Sequence, residues 1–369
     1  MRTYFLSREG NPCCKGRRKM VAPGGSSSFL MMRRSMKKEF LNSVFYWEGN
    51  RSSAGLASVA KSSLPSNGSP GTQGMGIIGD LRQLIVCPIC QNNTLVDNGQ
   101  LSCERCQRSF GASGGVGSVD LTLSSGLPSP RAYERTPPPG IQVFRNPLVS
   151  LAYERGWRQS FSWAGFPGLE EESKLALDVL LEYAYGDVLV DMSCGSGLFS
   201  RKFIESGKFK RVIAADYSET MVQEARSNFE RARLDPAKDY LLLRADVCRL
   251  PFATGSIPAI HAGAAIHCWP DPLGAMAEIS RVLRPGGVFI GTTFLSAFSP
   301  LGEMVGDDVI RPVRSVIDQS PLGSSSRSNI RWWNEDELRD LSETVGLQEF
   351  TAVKRKFRFI MFSAVKPLI

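Results

Sequence analysis

The chain has 369 residues, 42% of them hydrophobic and 22% charged, an ordinary globular composition that excludes wholesale disorder and suits two folded units, or one plus an arm. No stretch reaches the ~18 uninterrupted apolar residues that a bilayer span requires. The formal charge of +8 lies wholly in residues 1–80, with 12 basic against 4 acidic side chains; the 32 of each that follow cancel, which argues against a generally basic, polyanion-binding body.

Residues 1–76 form the first segment, rich in Arg and Ser and poor in acids, with clusters such as Arg17-Arg18-Lys19, Arg33-Arg34 and Lys37-Lys38 and no sustained helical or strand period. That composition predicts an organelle transit peptide, plastid or mitochondrial, the alternative being a disordered basic tail without an address. Ser7, Arg8 and Glu9 interrupt any candidate secretory apolar core.

Residues 81–125 carry Cys87-Pro-Ile-Cys90 and Cys103-Glu-Arg-Cys106, two C-x-x-C pairs separated by twelve residues. Two such knuckles supply the four thiolates of a closed tetrahedral Zn²⁺ site, so a zinc ribbon is predicted. Its hairpin runs from Thr94–Val96 through Asn98-Gly99 to Gln100–Ser102. A unit this small depends on its metal for stability, and a closed Cys₄ shell implies structure and not catalysis. Redox disulfides or metal-free thiols are the alternatives. Cys13, Cys14, Cys194, Cys248 and Cys268 have no partner at metal spacing and read as reduced thiols of an intracellular or stromal compartment. Residues 126–141, including Pro137-Pro138-Pro139, form a stiff linker.

The body, residues 142–369, alternates helical and strand periods from Leu169 onward. A helix over Leu169–Tyr185 closes at Gly186; strands follow at 187–192, 211–215, 240–244, 257–263 and 288–293. Between them lie helices at 198–206, after the N-cap Ser218, and after Asp271-Pro272; a helix over 335–345 and a hairpin over 349–365 end the chain. This predicts an α/β fold with a doubly wound, mostly parallel, seven-stranded Rossmann-like sheet that binds its ligand at the carboxyl ends of the strands.

The first of these strands feeds VDMSCGSGLF, in which Gly195 and Gly197 allow a sharp turn and close backbone approach. A dinucleotide fingerprint would place its third glycine at 200, which is Ser200. Asp191, at the end of the strand, would repel a pyrophosphate and welcome a cationic sulfonium ligand.

These residues resemble motif I of class I S-adenosylmethionine (SAM)-dependent methyltransferases, D-x-G-x-G-x-G, with Ser193 replacing the first glycine. Asp216 and Tyr217 in AADYSETM, Asp246 and Val247 in RADVCRLPF, then HAGAAIHCWPDP and ISRVLRPGGVFIGTTF follow at the family's intervals, similar to the ubiquinone/menaquinone methyltransferase-like group. The resemblance implies that Asp191, Ser193, Gly195, Gly197, Asp216, Tyr217, Asp246 and Val247 contact SAM. Asp216 would hold the ribose hydroxyls, and Asp246 and Val247 the adenine. For Asp191 and Asp216, ordering the loop and capping the next helix are the bland alternatives.

The ribbon followed by YERGWRQSFSWAGFPG and the later motifs resembles plant chloroplast methyltransferases of uncertain substrate that associate with plastoglobules. The order of ribbon and methyltransferase is also similar to bacterial ribosomal-RNA guanine methyltransferases. Together these imply a plastid enzyme, in stroma or plastoglobule, with Zn²⁺ and SAM as its cofactors. Its acceptor would be a hydrophobic small molecule such as a prenyl-quinone-like ring; RNA and a non-catalytic SAM-binding role are the rivals.

His267 is the candidate general base, with a packed His of no chemical role as the alternative. No Asn/Asp-Pro-Pro-aromatic stretch follows the fourth strand, which argues against methylation of exocyclic amino groups. Phe294, Phe298 and Trp332-Trp333 either line an acceptor pocket or pack an insertion onto the sheet, and Tyr153–Phe166 offers the same choice. Lys354-Arg355-Lys356 with Arg358 is the body's single basic run and reads as a solvated strand face.

Overall fold

The computed structural model describes residues 81–92, 95–97, 101–111, 118–125, 161–162, 164–296 and 331–368. The expected arm over 1–76, the linker over 126–141, the Asn98-Gly99 turn, Phe298 and the stretch from Tyr153 to residue 160 lie outside them.

The ribbon segment forms a three-stranded antiparallel sheet, β1 (Leu95–Asp97), β2 (Leu101–Cys103) and β3 (Arg108–Phe110). Leu95 pairs with Cys103 and Asp97 with Leu101, one residue away from the register that a two-residue Asn98-Gly99 turn would impose, which would set Asp97 against Gln100.

The second sheet is built from β4 (Ser118–Asp120), β5 (Val188–Met192), β6 (Arg211–Asp216), β7 (Tyr240–Arg244), β8 (Ile257–Ala262), β9 (Leu283–Phe294), β10 (Gln348–Lys356) and β11 (Phe359–Val365), in the order β10-β11-β9-β8-β5-β6-β7-β4. Pairings from β4 through β9 are parallel, and the β10–β11 hairpin adds antiparallel to β9. Five helices accompany it among the described residues: α1 (Leu169–Ala184), α2 (Leu198–Glu205), α3 (Glu219–Arg231), α4 (Pro272–Val282) and α5 (Glu335–Thr344). Every residue of β5 and β8 is buried, as strands covered by helices on both faces must be. The order reverses at β5, between β6 and β8, and opens a crevice at their carboxyl ends.

Local signals explain the helix starts. Ser218 accepts from the backbone N–H of Met221, and Asp271 from that of Gly274 with Pro272 in the first turn. At α5, Asn334 and Glu337 form a reciprocal capping box, which the periodicity alone had not marked.

The sheet has eight strands where seven were expected. The extra strand, β4, comes from the segment assigned to the ribbon and pairs in parallel with β7, Ser118 against Leu242 through Asp120 against Arg244. A three-residue strand carries too little periodicity to be read from sequence; side chains hold it in place. Nη1 of Arg244 donates to Asp120 Oδ2 at 2.7 Å, Nη2 of Arg226 donates to Ser118 Oγ at 3.0 Å, and Val119 and Leu121 are fully buried. The ribbon's first knuckle is attached too: Ile85 bridges Phe252, Val86 N–H donates to Pro251 O, and Ala253 N–H donates to Leu84 O. Leu81, Ile85, Leu101 and Phe110 therefore share one core with Val190, Leu243 and Phe252.

Asp120 also accepts from the Thr122 backbone N–H and hydroxyl, so Asp120→Ala removes three hydrogen bonds at the β4 edge. A loss of about 2 kcal/mol is expected, read as a thermal midpoint lower by roughly 4 °C or more. An unchanged midpoint would show that β4 adds nothing to the sheet.

Candidate functional site

Strand β5 delivers Asp191 and Met192 to the crevice, and the chain then turns through Ser193–Gly197 into α2. Ser193, Gly195 and Gly197 have φ of 58°, 57° and 79°, in the left-handed region. For Ser193 this costs about 1–2 kcal/mol, offset by Trp269, whose Nε1–H donates to Ser193 Oγ at 3.0 Å. Gly197 has a second constraint: a Cβ there would lie 2.5 Å from the Phe229 ring, so only glycine lets α3 pack this close.

Asp191 is buried and both of its oxygens are engaged. Ser200 donates its hydroxyl to Oδ2 at 2.5 Å, and Nδ1 of His261 lies 2.8 Å from Oδ1. Asp191 and His261 are direct register partners on β5 and β8, and His261 is wedged between Phe199 and Phe203 at 4.9 Å from each ring. Asp191 thus fastens the loop, the first turn of α2 and β8 to one another.

Asp216 ends β6 facing the same loop. Its Oδ2 accepts from Gly195 N–H at 2.9 Å and its Oδ1 from Ser218 N–H at 2.8 Å. Burial raises its pKa and the nearby Asp191 adds to the rise, while backbone donors at Ser218, Gly195 and Tyr217 oppose it. A carboxylate offers about four lone-pair sites, so with three backbone donors in place Asp216 keeps capacity for about one more. Two acids beside a loop of positive φ form a set of negatively charged acceptors that suits a cation carrying hydroxyls, and so fits SAM.

Tyr217 is held by Arg244, whose Nε–H donates to Tyr217 O at 3.0 Å and whose guanidinium lies 5.5 Å from its ring centroid. After β7, Asp246 turns the chain by accepting from Cys248 N–H at 2.9 Å, and Val247 is buried with its side chain in the main core. Cys194 and Cys268 are thiols raised by burial and by Asp216, which makes them poor nucleophiles.

His267 sits in a short 3₁₀ turn over Ile266–Cys268, its Nδ1 at 3.1 Å from Thr293 Oγ1 and its ring edge-on to Phe294 at 4.8 Å. Phe294 also meets Phe161, Phe166 and Trp332 at 5.1, 4.7 and 5.6 Å, an aromatic wall at the carboxyl end of β9. Trp333 is a core residue, 2% exposed and bridged to Leu295, so of the two tryptophans only Trp332 faces that wall. Three of the four cations of the C-terminal basic run are engaged: Lys354 pairs with Glu171, Arg355 with Glu335, and Arg358 stacks on Trp332, while Lys356 is exposed.

The four ribbon cysteines converge, with all their sulfurs within 4.8 Å of one another and Cys90 Sγ 3.8 Å from Cys103 Sγ. Tetrahedral Zn–S bonds of about 2.3 Å require sulfurs roughly 3.8 Å apart, so the set fits the metal. Burial raises Cys87; at Cys90 burial is outweighed by hydrogen bonds from Asn92 and the neighbouring thiols, which bring it down to about 6.

His261, Ser200, Trp269 and Arg244 are the residues sequence reasoning missed. Ser200 had a signal, standing where a dinucleotide fingerprint needs glycine. His261 and Trp269 had none beyond their place in the HAGAAIHCWPDP stretch, because their partners depend on strand order.

Residues 190–291 match the family described as a methyltransferase domain. An uncharacterized chloroplastic methyltransferase of Arabidopsis thaliana is 43% identical over 78% of this chain and 79% of its own length. A second one from the same plant is 40% identical over 85% and 86%. A demethylmenaquinone methyltransferase of Lactococcus lactis is 33% identical over 27% of this chain and 38% of its own.

Replacing Asp191 by Ala strips the buried Ser200 and His261 of their shared acceptor and is expected to cost about 2–4 kcal/mol in denaturant unfolding. Asp191→Asn, which keeps an acceptor, should cost about half of that. A loss below roughly 0.5 kcal/mol in Asp191→Ala would contradict the fastening role.

Proposed function

This chain belongs to the methyltransferase family and is a SAM-dependent methyltransferase, and on that premise we propose that it methylates a hydrophobic small molecule of the prenyl-quinone type in the plastid. The observation that carries the acceptor class is the aromatic wall of Phe161, Phe166, Phe294 and Trp332 beside His267. The contacts of Lys354, Arg355 and Arg358 in the C-terminal basic run support it, since binding to a phosphate backbone draws on free cations. The chloroplastic names of the two Arabidopsis relatives support the compartment, with residues 1–76 as the targeting arm.

SAM, when bound, supplies an electrophilic methyl group on a sulfonium that passes in line to a nucleophile. In our reading Asp216 accepts from the ribose hydroxyls, having capacity beyond its three backbone donors. Asp246 and Val247 line the adenine, and the backbone of Ser193, Gly195 and Gly197 receives the methionine part together with Tyr217's side of the crevice. Asp191 acts on SAM through its negative charge and by ordering the loop, because it is buried beneath that loop and already held by Ser200 and His261. The proposed contribution of His267 is to take a proton from an acceptor hydroxyl, with Thr293 orienting its ring. In-line transfer needs mainly alignment and the exclusion of water, which an aromatic wall provides. Cys87, Cys90, Cys103 and Cys106 would hold a structural Zn²⁺ in a ribbon over residues 81–125.

Asp216→Ala is expected to weaken SAM binding at least tenfold in calorimetry while leaving a cooperative thermal transition. Affinity equal to the unsubstituted chain would remove Asp216 from the site.

The acceptor is tested by incubating the chain with methyl-labelled SAM and plastid extract, then counting label in the organic-solvent phase and in the RNase-sensitive fraction. Organic-phase counts are expected. RNase-sensitive counts would replace this acceptor with RNA.

A further inference from the structure

We propose that Arg249 is a positioning residue that couples the four-cysteine cluster to the adenine side of the SAM site, so that metal held in the ribbon sets the affinity for SAM. The inference rests on the reading that Asp246 and Val247 line the adenine.

Arg249 lies two residues beyond Val247 and closes the turn that Asp246 begins, its backbone N–H donating to Asp246 O at 2.9 Å. Its guanidinium reaches into the ribbon. Nε–H donates to Pro88 O and Nη2 to Ile89 O, both at 2.8 Å. These are the two carbonyls inside the Cys87–Cys90 knuckle. A planar fork meets two adjacent carbonyls with two parallel hydrogen bonds, which an ammonium group cannot reproduce.

The knuckle's peptide planes explain why the metal matters. The backbone N–H groups of Ile89 and Cys90 point inward at the Cys87 sulfur, and that of Cys106 at the Cys103 sulfur at 3.4 Å. With the amides turned to the sulfurs, the carbonyls of Pro88 and Ile89 face outward, where Arg249 finds them. A coordinated sulfur stays fixed and keeps these planes in place; a free thiol rotates and lets them turn. On the far side the same loop is secured to α4, with Leu250 N–H donating to Glu278 and Leu250 O accepting from Arg281. The turn carrying Asp246 and Val247 is thus stretched between α4 and the knuckle, and slackening the knuckle end moves the residues proposed to meet adenine.

The test uses the full chain loaded with zinc, and compares Arg249→Ala and Arg249→Lys with the unsubstituted chain by SAM calorimetry, zinc content and thermal melting. Arg249→Ala is expected to keep its zinc and its cooperative transition while its Kd for SAM rises about tenfold, with Arg249→Lys in between. Removing zinc from the unsubstituted chain should weaken SAM binding by a similar factor, and removing it from Arg249→Ala by less than a further twofold. That lack of additivity separates coupling from a general loss of stability. Effects that multiply, or an Arg249→Ala Kd equal to the original, would overturn the inference. If zinc removal unfolds the chain, the holo Arg249→Ala and Arg249→Lys affinities decide it alone. Asp246→Ala keeps the two readings apart: weaker SAM binding there with normal binding in Arg249→Ala sinks the coupling only, and normal binding in both sinks the adenine assignment as well.

Discussion

The carboxylate of Asp216 joins three elements with two backbone hydrogen bonds. It takes the Gly195 amide from the loop after β5 and the Ser218 amide that opens α3, while standing at the end of β6. Its position follows from the sheet, because β5 and β6 are parallel neighbours in register from Val188 against Arg211 to Met192 against Ala215. The loop's left-handed residues are tolerated because this acceptor fixes one end and Trp269 the other. Without the pair of clasps, a run of positive φ that includes a serine would have no reason to persist.

Around that clasp lies a second layer of polar groups that face each other and not the ligand. Asp191, His261 and Ser200 form a hydrogen-bonded set under the loop, each more than nine-tenths buried, with the His261 ring between Phe199 and Phe203 and its Nε2 left without a hydrogen-bond partner among the described residues. Buried polar groups are tolerated when their partners are supplied, and they then fix one arrangement. The two acids differ in depth: Asp191 is buried under the loop, while Asp216 is partly exposed at the end of β6.

The ribbon segment is part of the same construction. Its chain pairs with residues 251–253, adds β4 beside β7, and contributes Leu81, Ile85 and Phe110 to the central core. Arg244 and Arg249 bracket the β7–loop region and both spend their guanidinium groups on this segment. A cysteine knuckle that reads as an appendage in sequence is, in three dimensions, packed against the loop that follows β7.

Much of this was legible beforehand, for physical reasons. Strands buried on both faces are written as unbroken apolar runs, so β5, β6, β7 and β8 were found within a residue or so of their bounds, and caps such as Ser218 and Asp271 announce their helices locally. The glycine loop, the acids at 191, 216 and 246 and the paired C-x-x-C spacing carry their chemistry in residue type and interval alone. Strand order, by contrast, is a property of tertiary packing, and it alone places His261 opposite Asp191 and β4 beside β7. Likewise Trp269 and Arg249 act 76 and 160 residues away from their partners, where no local period or motif can register them. Sequence by itself determined the fold class and the acids around the crevice, because those depend on local patterns of burial and charge. Only the tertiary structure decided which acid is buried, which stays partly exposed and what the cysteine-bearing segment touches, because all depend on contacts between segments far apart in the chain.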